Sequence, residues 1–132
     1  MLERPLYHQL MLQDEYFARY RAYFDAFLSD YVESGRLQAG LHQMAQQIAP
    51  YVQEDPTAFC SFADHQLAVD TLEQVCLLRA ASARGQLQGE IPATWREQME
   101  RPGEWVDATA VDLTHLGDFD DLEWAQEQHR LS

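Results

Sequence analysis

The 132-residue sequence contains no lysine, so all nine of its basic residues are arginines. This absence excludes several enzyme classes, because a Walker A loop, the phosphate-contacting lysine of kinases and Schiff-base chemistry each require a lysine side chain. The six glycines stand singly, so no glycine-rich loop is available to hold a phosphate. The motifs GxSxG and HExxH are also missing. We therefore predict no catalytic residue and no cofactor-binding residue in this chain.

Long apolar runs are also lacking. No stretch approaches the roughly 20 apolar residues that a membrane-spanning helix needs, and the first ten residues show none of the marks of a signal peptide. The 22 acidic residues give the chain a net charge of −13, which repels phosphate backbones and anionic lipids. We expect neither nucleic acid nor membrane as a partner, and we expect any export signal to lie outside this chain.

Cysteine is scarce, with only Cys60 and Cys76 present, and they do not form a CxxC pair. A disulfide between them is one interpretation. Two buried free thiols are the favoured one, because unpaired cysteine is among the most frequently buried residue types.

The sequence offers one weak candidate for a metal site, formed by acidic residues near His115. Oxygen ligands at this spacing can bind a hard cation weakly, but the further acids and the glycine of a calcium-binding loop are missing. The five histidines also lie far apart in sequence, which favours ordinary surface or core positions. We therefore predict solvated charge and no metal site at the acidic run Asp118, Asp120, Asp121 and Glu123.

Helical periodicity is the strongest pattern in the sequence. Between Asp14, a predicted N-cap, and Ser34-Gly35, a predicted helix end, eight large apolar side chains fall within one arc of roughly 140° at about 100° per residue. Aromatic stripes at this spacing belong to a core or to a face against a partner more often than to a ligand pocket. We predict a packing or partner face formed by Tyr16, Tyr20, Tyr23, Phe24, Phe27 and Tyr31.

Similar periodicity predicts further helices. A short one occupies 2–11, and a second begins at Leu37 and is kinked or ended by Pro50. A third is predicted from Phe62 to about Leu87, capped by Ser61 with Asp64. A weak strand is suggested only by the alternating pattern at residues 106–113. The predicted fold is all-α, a small helical bundle of about three to four helices.

The C-terminal quarter of the chain differs in charge from the rest. Residues 101–132 contain eight acidic residues and two arginines, so they hold almost half of the excess negative charge. We predict a helical bundle over residues 1–92 and an irregular acidic tail over 93–132. Because the tail also carries tryptophan, leucine and phenylalanine side chains, we expect it to be extended and partly docked on the bundle.

Three stretches of the sequence, 12–20, 48–59 and 78–89, occur in an order that resembles the C-terminal helical segment of the CotH kinase family, which is named for a spore-coat protein. Residues 106–117 are similar to a tail found in some members. The resemblance implies an atypical protein kinase that binds ATP and a divalent metal. It also implies that the nucleotide lysine and metal-binding aspartates lie upstream of the matching segment, so none falls on a residue of this chain.

These observations predict a non-catalytic helical module that supports or docks on a kinase-like lobe, with a protein partner or self-association. The alternative is a stand-alone acidic helical adaptor or self-associating interaction protein. An enzyme with an aspartate- and tyrosine-lined site is the least favoured interpretation.

Overall fold

The computed structural model describes residues 5–117, which form five α-helices and no β-strand. The all-α prediction is therefore confirmed. The π-helical turn Leu28–Glu33 continues the second helix, and the 3-10 turn Leu113–Leu116 closes the described part. The helices are α1 Pro5–Met11, α2 Asp14–Phe27, α3 Arg36–Glu54, α4 Phe62–Gln88 and α5 Trp95–Glu100.

The chain divides into two compact units. The first comprises Met1–Gln38 with Arg79–Val106, and the second comprises Ala39–Leu78 with Asp107–Ser132. In the second unit, the Nε2 atom of His42 on α3 lies 2.6 Å from the Oε2 atom of Glu73 on α4. A polar contact thus joins these two helices within that unit.

Glycine and capping residues set the helix ends that the sequence predicts. Gly35 and Gly89 have φ angles of +83° and +79°, a left-handed conformation that glycine adopts without steric cost. At the start of α4, the Ser61 hydroxyl accepts a hydrogen bond from the Asp64 backbone N–H, and the Asp64 carboxylate accepts one from the Ser61 N–H. The predicted capping box is therefore confirmed, with an aspartate in the place of the usual glutamate.

Three local predictions are wrong. Asp14 is the first helical residue, and Gln13 is the N-cap without a side-chain cap hydrogen bond. Of the kink or end predicted at Pro50, the end is wrong, because α3 continues to Glu54 although a proline lacks the N–H of one helical hydrogen bond. The weak strand predicted at 106–113 is irregular, and its Asp107 carboxylate instead accepts hydrogen bonds from the Thr109 N–H and hydroxyl.

Near the end of α4, Gly85 lies close to the segment that follows the helix. Gly85 on α4 is buried, and its carbonyl accepts hydrogen bonds from the Glu90 and Ile91 N–H groups. A Cβ atom at Gly85 would lie 2.6 Å from Ile91 Cδ1. A side chain at Gly85 would therefore displace the Ile91 side chain where the segment after α4 folds back against the helix.

The predicted tail is only partly described. Residues 93–117 contain α5 and the 3-10 turn, and the Thr94 side chain forms a capping box with Glu97 at the start of α5. Residues 118–132 lie outside the described residues. The division at residue 92 and the docking of the whole tail stay predictions.

Candidate docking face

The six aromatic residues singled out by the sequence all fall on α2 and the π-helical turn. Spacings of three and four residues place side chains on one side of a helix. We call this set the aromatic face: Tyr16, Tyr20, Tyr23, Phe24, Phe27 and Tyr31.

Exposure varies sharply across the apolar arc that includes the aromatic face. Leu28 and Val32 expose only 2% and 4% of their surface, and we call them the buried edge. On the other side of the arc, Tyr16, Tyr23 and Phe27 expose 46%, 72% and 48%, and we call them the open edge. The arc is therefore covered along one edge and accessible along the other.

Four of the six rings of the aromatic face stack in sequence along the helix. The centroids of Tyr20 and Phe24 lie 5.8 Å apart, those of Phe24 and Phe27 lie 6.4 Å apart, and those of Phe27 and Tyr31 lie 5.5 Å apart. These separations lie within the range of favourable aromatic pairs. These four rings form a continuous ladder, so they would lose little side-chain entropy when a partner binds.

An arginine from α4 fixes the polar flank next to the buried edge. The Nε and Nη2 atoms of Arg84 donate to the two carboxylate oxygens of Glu33 at 2.7 and 3.0 Å. The same guanidinium donates to the Ser29 hydroxyl at 3.0 Å and to the Asp25 carboxylate. We call this group the Arg84 clamp. It holds three positions spaced by four residues, which fixes the rotation of α2 about its axis.

The group at the centre of the clamp is the positively charged guanidinium of Arg84. The hydrogen bonds that Arg84 donates to Glu33, and then the one to Asp25, raise the pKa of Arg84 above its ordinary value, so the guanidinium stays charged. Bidentate arginine–carboxylate geometry adds directional specificity to the charge. One turn away, Arg21 donates to the Leu87 backbone carbonyl, which provides a second link between α2 and α4 within the first unit.

Arginine side chains also lie over aromatic rings near the start of α2 and in the π-helical turn that continues it. The Cζ atom of Arg21 lies 5.8 Å from the ring centroid of Phe17, and that of Arg36 lies 5.9 Å from the ring centroid of Tyr31. Both distances are within the range of a cation–π interaction. The aromatic surface of this helix therefore already accepts guanidinium groups.

The predicted acidic run 118–123 lies outside the described residues, but His115 is described. Its Nδ1 atom lies 3.3 Å from the hydroxyl of Thr71, and its Nε2 atom lies 3.6 Å from the Asp112 carboxylate. Within residues 5–117, no group of three histidine, cysteine or acidic side chains has the geometry to hold a metal ion. Cys60 and Cys76 are free and half-buried.

The second unit also contains a cleft between α3 and α4. Its volume is about 420 Å³, and His42, His65 and Asp70 contribute the titratable groups of its lining. His42 is engaged by Glu73. Within residues 5–117, no buried polar atom without a partner belongs to the residues that line this cleft, so the aromatic face is the better candidate site.

The sequence predicts the aromatic face but not the Arg84 clamp. The only signal is the four-residue spacing of Asp25, Ser29 and Glu33, which places three polar groups on one flank. Their common partner lies more than fifty residues away in the chain. Spacing alone therefore indicates a polar flank without naming the arginine that binds it.

Comparison with known proteins identifies the family. The sequence pattern of the family described as CotH kinase protein matches residues 1–92, which is more than half of the chain. The chain belongs to the CotH kinase protein family. The match contains α1 to α4, the aromatic face and the Arg84 clamp, whereas the resemblance of 106–117 lies beyond it. No curated protein and no solved structure is significantly similar to this CotH family member. Within residues 5–117, no helix combines the length and the hydropathy needed to cross a bilayer.

Proposed function

We propose that this chain is a non-catalytic helical module of a CotH-type protein, which supports a kinase-like lobe by docking on it through the aromatic face. The open edge is the observation that carries the proposal. Tyr23 and Phe27 expose 72% and 48% of their surface, and Phe27 also stacks with Phe24 and Tyr31. Such apolar surface on a folded helix is costly to leave in water and is typical of an interaction site.

The sequence supports the non-catalytic part of the proposal. A kinase needs a lysine that contacts the nucleotide phosphates, and this chain has none. Under this proposal, the phosphate-contacting group comes from another lobe. The chain contributes packing surface and leaves phosphate transfer to that lobe.

A binding experiment tests the docking. The chain is titrated into the catalytic lobe of a CotH kinase protein, and complex formation is followed by calorimetry. We expect a one-to-one complex that is lost in the double variant Tyr23→Ala/Phe27→Ala. Tyr51→Ala is the matched control, because Tyr51 on α3 exposes 77% of its surface but lies outside the aromatic face.

Two results would overturn the proposal. One is the absence of any complex with the lobe at concentrations where the chain is folded, combined with self-association that depends on Tyr23. The other is autophosphorylation of the pure chain, or micromolar binding of ATP-Mg²⁺, which would show that the chain has a nucleotide site of its own.

A further inference from the structure

We propose that the open edge receives arginine side chains, so that the surface which covers it on the kinase-like lobe is cationic as well as apolar. This inference rests on the proposed docking function and names the chemistry of the partner surface. Its evidence is the way in which this chain already uses its own arginines.

The helix shows twice that its rings bind guanidinium groups. Arg21 lies over Phe17 and Arg36 lies over Tyr31, with centroid distances of 5.8 and 5.9 Å. Tyr23 and Phe27 are more exposed than either of these rings, and residues 5–117 provide no cation over them. Tyr23 and Phe27 therefore present the same type of ring surface, but no arginine of the described residues lies over it.

An exposed carboxylate follows these two rings along the helix. Asp30 follows Phe27 by three residues and Tyr23 by seven, which places it on the same side of the helix. It is exposed, and its carboxylate forms no ion pair within the described part of the chain. An incoming guanidinium can therefore stack on Tyr23 or Phe27 while it donates to Asp30, a combination that arginine favours over lysine because of its planar, weakly hydrated group.

The net charge distinguishes this partner from a second copy of the chain. Each copy carries −13, so self-association would bring two strongly negative molecules together. A cationic surface is instead attracted to the whole protein before it reaches the open edge. The total charge brings such a partner close, and the rings with Asp30 determine where it binds.

Two matched peptides test the proposal directly. One is an alanine-based helix with arginine at every fourth position, and its twin has lysine at those positions. Each is titrated into the full chain while tyrosine and phenylalanine side-chain resonances are followed by NMR. We expect the arginine peptide to bind more tightly by roughly two- to fivefold for each stacked side chain, with shifts at Tyr23 and Phe27.

Variants locate the effect. The preference for arginine should disappear in Tyr23→Ala/Phe27→Ala, decrease in Asp30→Asn and persist in Tyr51→Ala. Equal binding of the two peptides, or a preference that survives the double variant, would show diffuse charge attraction and overturn the inference.

The same variants separate this inference from the docking function. If the lobe binds the aromatic face but the affinity is unchanged when the exposed arginines of the lobe are replaced by glutamine, the docking function stands and the arginine inference fails. If the arginine peptide binds the open edge and the lobe does not bind, the docking function fails. Dimerisation that depends on Tyr23 would assign the face to a second copy and overturn both.

Discussion

The two edges of the apolar arc on α2 and its π-helical extension have opposite environments. Leu28 and Val32 are almost completely buried, whereas Tyr23 on the same arc is mostly exposed. Both edges come from one periodic pattern, so the pattern does not distinguish them. The Arg84 clamp holds the polar flank next to the buried edge, a long-range contact that the periodic pattern does not contain. Periodicity shows which way side chains point, and long-range contacts decide which of them are covered.

The largest effect should come from removing a side chain of the buried edge. Leu28→Ala is expected to lower the free energy of unfolding by about 2–5 kcal/mol, because the truncation loses buried apolar area and leaves a cavity. Chemical denaturation measures this loss. Leu72→Ala on α4, where the side chain is substantially exposed, is the control. A similar cost at both leucines would contradict the distinction between the edges.

The second effect concerns the clamp that fixes the orientation of the helix. Arg84→Met keeps most of the aliphatic stem but leaves the Asp25 and Glu33 carboxylates without their shared cation. We expect a lower melting temperature than in the wild type, with a smaller decrease than in Leu28→Ala.

Arg79→Met is the control for the clamp, since Arg79 is exposed on the same helix and forms no ion pair within residues 5–117. If the two arginine variants melt at the same temperature, the clamp contributes nothing to stability. Loss of protection in α2 amides only in Arg84→Met would support its role in orienting that helix.

The cap of α4 lies outside both edges, and its removal should have an effect of intermediate size on the free energy of unfolding. Ser61→Ala removes the cap of α4 and is expected to cost about 1 kcal/mol. The Ser61 hydroxyl and N–H lower the pKa of Asp64 below its ordinary value of 3.8. A carboxylate with a lowered pKa stabilises the fold fully above the ordinary value, and this contribution is lost as the pH falls through the folded-state value.

The difference between wild type and Ser61→Ala should therefore be constant near neutral pH and shrink in acid. Urea denaturation at several pH values measures it, with Asp64→Asn as the variant that removes the titrating group. A difference that grows as the pH falls below 3.8 would contradict the assignment of this hydrogen bond.

The smallest effect on stability should come from the open edge. Tyr23→Ala is expected to change the free energy of unfolding by less than about 0.5 kcal/mol, because the side chain is largely in water already. The same substitution should nevertheless weaken binding to the kinase-like lobe. A large loss of stability would show that Tyr23 is part of the core. The open edge would then behave like the buried edge, which would contradict the distinction between them.

Several elements were predictable from the sequence because their causes are local. The bounds of α4 follow from a capping pair at Ser61 and Asp64 and from Gly89, which all act within a few residues of the helix ends. The errors at Asp14 and Pro50 have the same origin, since local preferences are weak and tertiary context overrides them. The capping box at Thr94 and Glu97 was readable in principle from its T-x-x-E pattern.

The sequence by itself determined the helical class, the position of the aromatic face and the absence of a lysine for phosphate chemistry, because each depends on residue type and short spacing. Only the tertiary structure decided which edge of the arc is buried, that Arg84 binds Asp25, Ser29 and Glu33, and that Gly85 admits Ile91. These features join residues that are far apart in the chain, or that meet only because the segment after α4 folds back against the helix. Local periodicity contains no information about such contacts, so it does not separate the buried Leu28 from the exposed Tyr23.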